Sequence, residues 1–116
     1  MQERNLRVLE FTKIRAMLAE LAVSDLGREK IGALTPSSDP ETVMKWQQET
    51  DEASVIVAYT GGNPIVSFTD IRAHLKRAAI GATLGQKALL EVAGVMSASR
   101  AVRSALVTER ENTPLI

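Results

Sequence analysis

Gln86-Lys-Ala-Leu-Leu-Glu-Val-Ala-Gly-Val-Met-Ser-Ala-Ser-Arg-Ala-Val-Arg-Ser-Ala-Leu-Val107 carries the longest periodicity in the chain. Ala88, Val92, Val95, Ser99, Val102 and Leu106 step by four and three throughout, which is the spacing of one face of an α-helix. Leu89 and Met96 broaden that seam. Ala93, Ser97, Ala98, Ala101 and Ala105 fill the remainder with small side chains, so other helices can approach on more than one side. Gly94 is the weak point of this helix, because glycine costs about 1 kcal/mol relative to alanine in a helix interior.

The same periodicity recurs upstream. From Leu6 to Val23, Phe11, Ile14, Leu18 and Leu21 form a stripe widened by Met17 and Ala22, with a break expected near Glu10-Phe11-Thr12. The stripe is expected to pack into a core. Ser24 and Asp25 are good N-cap residues for a short helix that ends before Pro36. Gly27 and Gly32 within it suggest close approach of a neighbouring helix. Ser38 with Glu41 has capping-box spacing, and Asp39 before Pro40 is an equally good alternative cap. The helix that follows runs to about Tyr59, with Val43, Trp46, Thr50 and Ala53 as its stripe, joined by Ile56 or Val57 and Met44, and with Trp46 as the expected core anchor. Gly61-Gly62-Asn63-Pro64 stops it. Ile65-Val-Ser-Phe68 alternates weakly and suggests a short extended segment.

Thr69 or Asp70 then caps the densest piece of chemistry, Asp70-Ile-Arg-Ala-His-Leu-Lys-Arg-Ala78, a short helix ended by Gly81. Ile71, Leu75 and Ala78 share an apolar face, while Arg72, Lys76 and Arg77 form a cationic rim. Two readings stand. The rim is a solvated face, its apolar side docked on a neighbour. Alternatively, Arg72, Lys76 and Arg77 meet phosphate or an acidic helix such as Gln47–Glu52.

Composition bounds the rest. The chain of 116 residues suits one domain, here read as a single helical domain over 1–116. The expected fold is all-α, an irregular helical bundle of about five helices. Fourteen basic and 14 acidic residues leave no net charge, so any contact with nucleic acid or membrane must come from local clustering. No cysteine is present, which removes disulfides, thiolate nucleophiles and cysteine-based zinc sites. The polar Met-Gln-Glu-Arg-Asn start lacks the apolar run of a signal peptide. Aromatic residues are only 3%, too few for base-stacking platforms.

Tests for a reactive centre are negative. Gly81-Ala-Thr-Leu-Gly85-Gln86-Lys87-Ala88 has three residues between its glycines where a P-loop has four; Gln86 precedes the lysine, and Ala88 stands where the magnesium-binding hydroxyl belongs. His74 is the only histidine, so there is no metal pair and no thiol dyad. No carboxylate pair has acid/base spacing. Catalytic, metal-binding and cofactor-binding residues are therefore all assigned as none.

Three segments together resemble a known family. Leu6-Arg-Val-Leu-Glu-Phe-Thr-Lys-Ile14 with Met17-Leu-Ala-Glu-Leu-Ala22 resembles the N-terminus of the second MutS branch, bacterial proteins that end in a Smr nuclease domain and are often called endonuclease MutS-two. Ala22-Val-Ser-Asp-Leu-Gly-Arg28, Leu34-Thr-Pro-Ser-Ser-Asp39 and Glu49-Thr-Asp-Glu-Ala53 resemble the next stretch. Asp70-Ile-Arg72 with Leu75-Lys-Arg-Ala78, Gly81 and Leu84 is the sharpest match. Two positions depart from the family pattern: Gly85-Gln86 replaces a Ser-Pro helix start, and Ala73 replaces a proline, leaving a backbone N–H for a continuous helix.

The resemblance implies the first half of a MutS core, or lever, domain, and thus an N-terminal fragment of a longer chain; the apolar ending Leu115-Ile116 fits a cut piece. It implies a cytoplasmic, homodimeric parent with an ATPase using ATP and Mg and a nuclease domain, both outside this region. The parent's implied partners are branched DNA or ribosomal RNA, in suppression of recombination or ribosome rescue. The segment itself is expected to be structural and force-transmitting, with Arg72, Lys76 and Arg77 as the nucleic-acid-binding candidates. The rival reading is a free-standing helical adaptor that binds a protein through Ala88–Ala105.

Overall fold

A computed structural model describes residues 3–116. Among these residues there are six helices and no strand: α1 (Glu3–Val8), α2 (Phe11–Glu20), α3 (Asp25–Gly32), α4 (Pro40–Thr60), α5 (Arg72–Ala79) and α6 (Gln86–Thr108). The all-α expectation holds.

Local signals place the boundaries. The first helical stretch breaks at Glu10, which takes a left-handed φ of 53° and separates α1 from α2. Ser24 caps α3, its Oγ accepting the Gly27 N–H at 3.1 Å. Asp39, and not the Ser38 box, caps α4 by accepting the Thr42 N–H at 3.0 Å, with Pro40 in the first turn. Gly61 ends α4 at φ 72°. Gly81 ends α5 at φ 78°, and the Gly81 and Ala82 N–H groups donate back to Ala78 and Arg77 as in a Schellman motif. Residues 65–68 are irregular, since no second strand exists to pair with them.

The packing is far more open than the apolar patterning suggests. The helix pairs that pack closely are α1 with α2, α2 with α3, and α4 with α6. Only Ile56, Ala88 and Ala98 are buried apolar residues among those described, and none of them is completely withdrawn from solvent. The radius of gyration is 17.6 Å, against roughly 13 Å for a compact globule of this length. The accessible surface is 9180 Å², about 3,000 Å² more than the scaling for a folded monomer of this mass.

Several core expectations are corrected accordingly. Ile14, Met17, Leu18 and Leu21 on α2 are exposed, and Trp46 is 43% exposed. The buried positions of α4 are Glu52, outside the expected stripe, and Ile56, one of the residues expected to join it. Leu75 on α5 is 53% exposed, so the apolar seat of that helix is unfilled. In each case the stripe has helical spacing but no second helix lies over it. Gly27 is crowded by its own N-cap, a built Cβ meeting Ser24 Oγ at 3.1 Å, whereas Gly32 and Gly94 face open space.

Glu52 is buried for a specific reason. Its Oε2 accepts the backbone N–H of Leu115 at 2.8 Å and its Oε1 accepts from Gln48 Nε2 at 3.0 Å. The carboxylate on α4 thus clasps the chain after α6. Thr113, 3% exposed, closes the same turn by donating its hydroxyl to the Glu109 carbonyl at 2.8 Å.

Two expectations follow for stability. Gly94→Ala, in open space mid-helix, raises stability by about 0.5–1 kcal/mol in a urea titration. Glu52→Ala orphans the Leu115 N–H and costs about 1–3 kcal/mol, with limited proteolysis cutting first near 113–116.

Candidate functional site

Arg72 is the hub of the charged cluster. It is the first residue of α5, and Asp70 lies two residues upstream in a turn whose carboxylate accepts the Arg72 backbone N–H at 3.0 Å. The residue flanking the helix is Ile71, so the expected Asp70 cap acts one residue early, as an Asx turn. The Asp70 carboxylate also accepts from Arg72 Nε, at 3.1 Å to Oδ1 and 3.0 Å to Oδ2, and from Nη2 at 2.8 Å. The other edge of the guanidinium reaches α3. Nη2 donates to Glu29 Oε2 at 2.6 Å and Nη1 to Oε1 at 3.3 Å, a two-pronged pairing suited to the planar fork.

One guanidinium therefore joins two carboxylates from segments 41 and more residues apart in sequence. Hydrogen bonds from Arg72, reinforced by its charge, hold the Glu29 carboxyl below its ordinary range. Hydrogen bonds from Arg72 do the same for Asp70. The two carboxylates in turn raise the Arg72 pKa, Asp70 contributing most.

The other face of α5 meets α6. His74 Nε2 lies 2.6 Å from Glu91 Oε2, both side chains largely shielded from solvent. At that distance the ring N–H donates to the carboxylate. His74 thus has the structural role that its solitude in the sequence suggests.

The three sequence-level candidates are in place on one short helix but in different states. Arg72 is committed to Glu29 and Asp70. Arg77 Nη2 makes one long contact, 3.4 Å to the Thr83 carbonyl. Lys76 is exposed and has no ion pair among the described residues. The acidic partner of the rim is Glu29 on α3 and not the Gln47–Glu52 stretch, where Glu52 is turned inward to Leu115. Sequence reasoning missed Glu29 and Glu91 because nothing local marks them. Each lies on another helix, 43 and 17 residues from its partner.

Elsewhere, an apolar groove of ≈ 750 Å³ runs between residues 65–68, the second half of α6 and the C-terminal turn, with Arg103 and Arg110 beside it. It contains no nucleophile with a base. No group of three metal-ligating side chains occurs among the described residues. No helix of the described residues is long and apolar enough to cross a membrane.

Comparison with known proteins points in one direction. The chain is 49% identical over 108 residues to a protein of Geobacillus thermodenitrificans named Endonuclease MutS2, covering 93% of this chain and 14% of that protein. It is 52% identical over 103 residues to Endonuclease MutS2 of Geobacillus kaustophilus, covering 89% and 13%. A Bacillus thuringiensis protein of the same name is 44% identical over 100 residues. The chain spans only 13–14% of the length of these first two relatives. No protein-family model and no solved structure matches the chain.

The depressed carboxyls give a pH signature. A carboxylate whose folded pKa is lowered stabilises above the unfolded value, about 4, and loses that contribution as pH falls through the lower folded value. In a carbon-detected NMR titration, Glu29 and Asp70 therefore titrate below ordinary carboxylates; Arg72→Gln returns Glu29 to the ordinary range and raises Asp70 only part of the way, because the backbone N–H of residue 72 still donates to it. Ordinary midpoints in the unmodified chain would break the assignment.

Proposed function

Because this chain is homologous to a segment of the Endonuclease MutS2 proteins, we propose that it is the non-catalytic helical framework of a MutS-type protein that acts on nucleic acid. The observation that carries this reading is the 44–52% identity over most of the chain. The open packing supports it. About 3,000 Å² of excess surface, with most of the stripes on α2 and α4 uncovered and Leu89, Leu90 and Met96 exposed on α6, is what a piece of a larger core exposes. We take the chain as the N-terminal part of that core, its uncovered stripes seated against the rest of the polypeptide.

In this reading the parent is a cytoplasmic homodimer. ATP and Mg act in an ATPase region and cleavage in a nuclease region, both outside these residues. The framework's task is mechanical. Helices α4 and α6, 21 and 23 residues long, are struts of roughly 30 and 35 Å at 1.5 Å per residue. Paired side by side, they move as a unit instead of absorbing strain. The parent's targets are branched DNA, in suppression of recombination, or ribosomal RNA, in ribosome rescue. Phosphate contact on this segment falls to Lys76 and Arg77, because Arg72 is committed to carboxylates.

The adaptor reading draws on Leu89, Leu90 and Met96, which are exposed on α6. A reading frame of several hundred residues with a downstream P-loop favours the framework; a short frame favours the adaptor.

Two outcomes test the proposal. This polypeptide alone turns over no ATP and cuts no DNA, and turnover by it would overturn the framework assignment. In the parent, Lys76→Gln with Arg77→Gln lowers the slope of log affinity against log salt by about 1–2 for duplex DNA. An unchanged slope removes the phosphate contact and leaves the mechanical role.

A further inference from the structure

Helix α5 is anchored in an unusual way. None of its eight residues is buried, and it belongs to none of the closely packed helix pairs. Leu75 is 53% exposed, and Ile80, just past the helix, is 82% exposed. Both connections are irregular: residues 61–71 precede it and 80–85 follow it, each beginning or turning at a left-handed glycine, Gly61 or Gly81. What joins α5 to the rest of the molecule is polar contact, an ion pair at Arg72 and a hydrogen bond at His74. Arg72 binds Glu29 of α3 at 2.6 Å, and His74 meets Glu91 of α6 at 2.6 Å. Asp70 braces Arg72 from the approach to the helix.

We propose that α5 is an ionic strap, docked across α3 and α6 by the Arg72–Glu29 and His74–Glu91 contacts and released as a unit when those contacts are screened or cut. Three physical points support this. Exposed ion pairs at Arg72 and Glu29 are weakened by salt, whereas an apolar seat is not. An isolated helix of eight residues does not persist in water, so lifting α5 also melts it. The α4–α6 pairing uses other residues, Ile56, Ala88 and Ala98, and does not depend on the strap. Release frees one edge of the Arg72 fork from Glu29, while Asp70 travels with it, and leaves that edge open near Lys76 and Arg77. An anion with phosphate geometry competes for that fork on equal terms with a carboxylate. The strap is thus a charge-operated gate on the basic rim.

The test is backbone hydrogen exchange on the unmodified chain, read by mass spectrometry. Between about 0.1 M and 1 M NaCl the screening length falls from ~10 Å to ~3 Å. The peptide covering residues 72–79 is expected to lose protection by about threefold or more, with α4 and α6 unchanged. Glu29→Gln at low salt is expected to reproduce the loss, and circular dichroism checks that the variant still folds. Leu75→Ala is expected to leave protection of 72–79 nearly as it was. Exchange in 72–79 that ignores salt overturns the proposal. So does loosening of α4 and α6 in step with α5, which would be global unfolding. Loss in Leu75→Ala with none in Glu29→Gln would show an apolar seat instead and would equally overturn it. None of these outcomes depends on nucleic acid, so failure of the strap and failure of the phosphate-contact reading are separate results.

Discussion

The shortage of self-covering apolar surface is the constraint from which this architecture follows. A chain of 116 residues with 45% apolar side chains has the material for a compact core, yet only Ile56, Ala88 and Ala98 are buried among the described apolar residues. The helices are therefore held by few and specific contacts. Helices α4 and α6 lie together, α1 to α3 form a second close set, and polar side chains join the sets. Where apolar burial is thin, each hydrogen-bonded charge pair carries a larger share of the geometry.

That is why several carboxylates take part in joining the helices. Glu52 turns inward to hold the Leu115 N–H, Glu29 and Asp70 share Arg72, and Glu91 receives His74. A catalytic acid or base needs a substrate-accessible pocket and a partner that tunes it. Here the interacting acids face the protein's own donors. The groove beside the second half of α6 is apolar and carries arginines.

The division of charges on α5 decides which of its cations are open to an anion. Three cations on a short helix read as a phosphate-binding rim, but a cation is available only if its own protein leaves it so. Arg72 is engaged on both edges of its fork, whereas Lys76 projects without a partner among the described residues. The net charge of the rim is therefore set by Glu29 and Asp70 as much as by the basic residues.

The sequence by itself determined most of the helix boundaries and that the described residues form helices and no strand. Ser24, Asp39, Gly61 and Gly81 act on backbone groups within a few residues, so their effect is legible without knowing the fold. It also determined the homology, through ordered segments from Leu6 onward. Only the tertiary structure decided which stripes are covered, because periodicity shows that a face exists and not what lies on it. Trp46 and the α2 stripe have core spacing and stay exposed, while Glu52 has a surface residue's chemistry and is buried. The pairing of Arg72 with Glu29 was equally invisible: 43 residues separate them, and contact across that distance is set by how α3 and α5 are brought side by side.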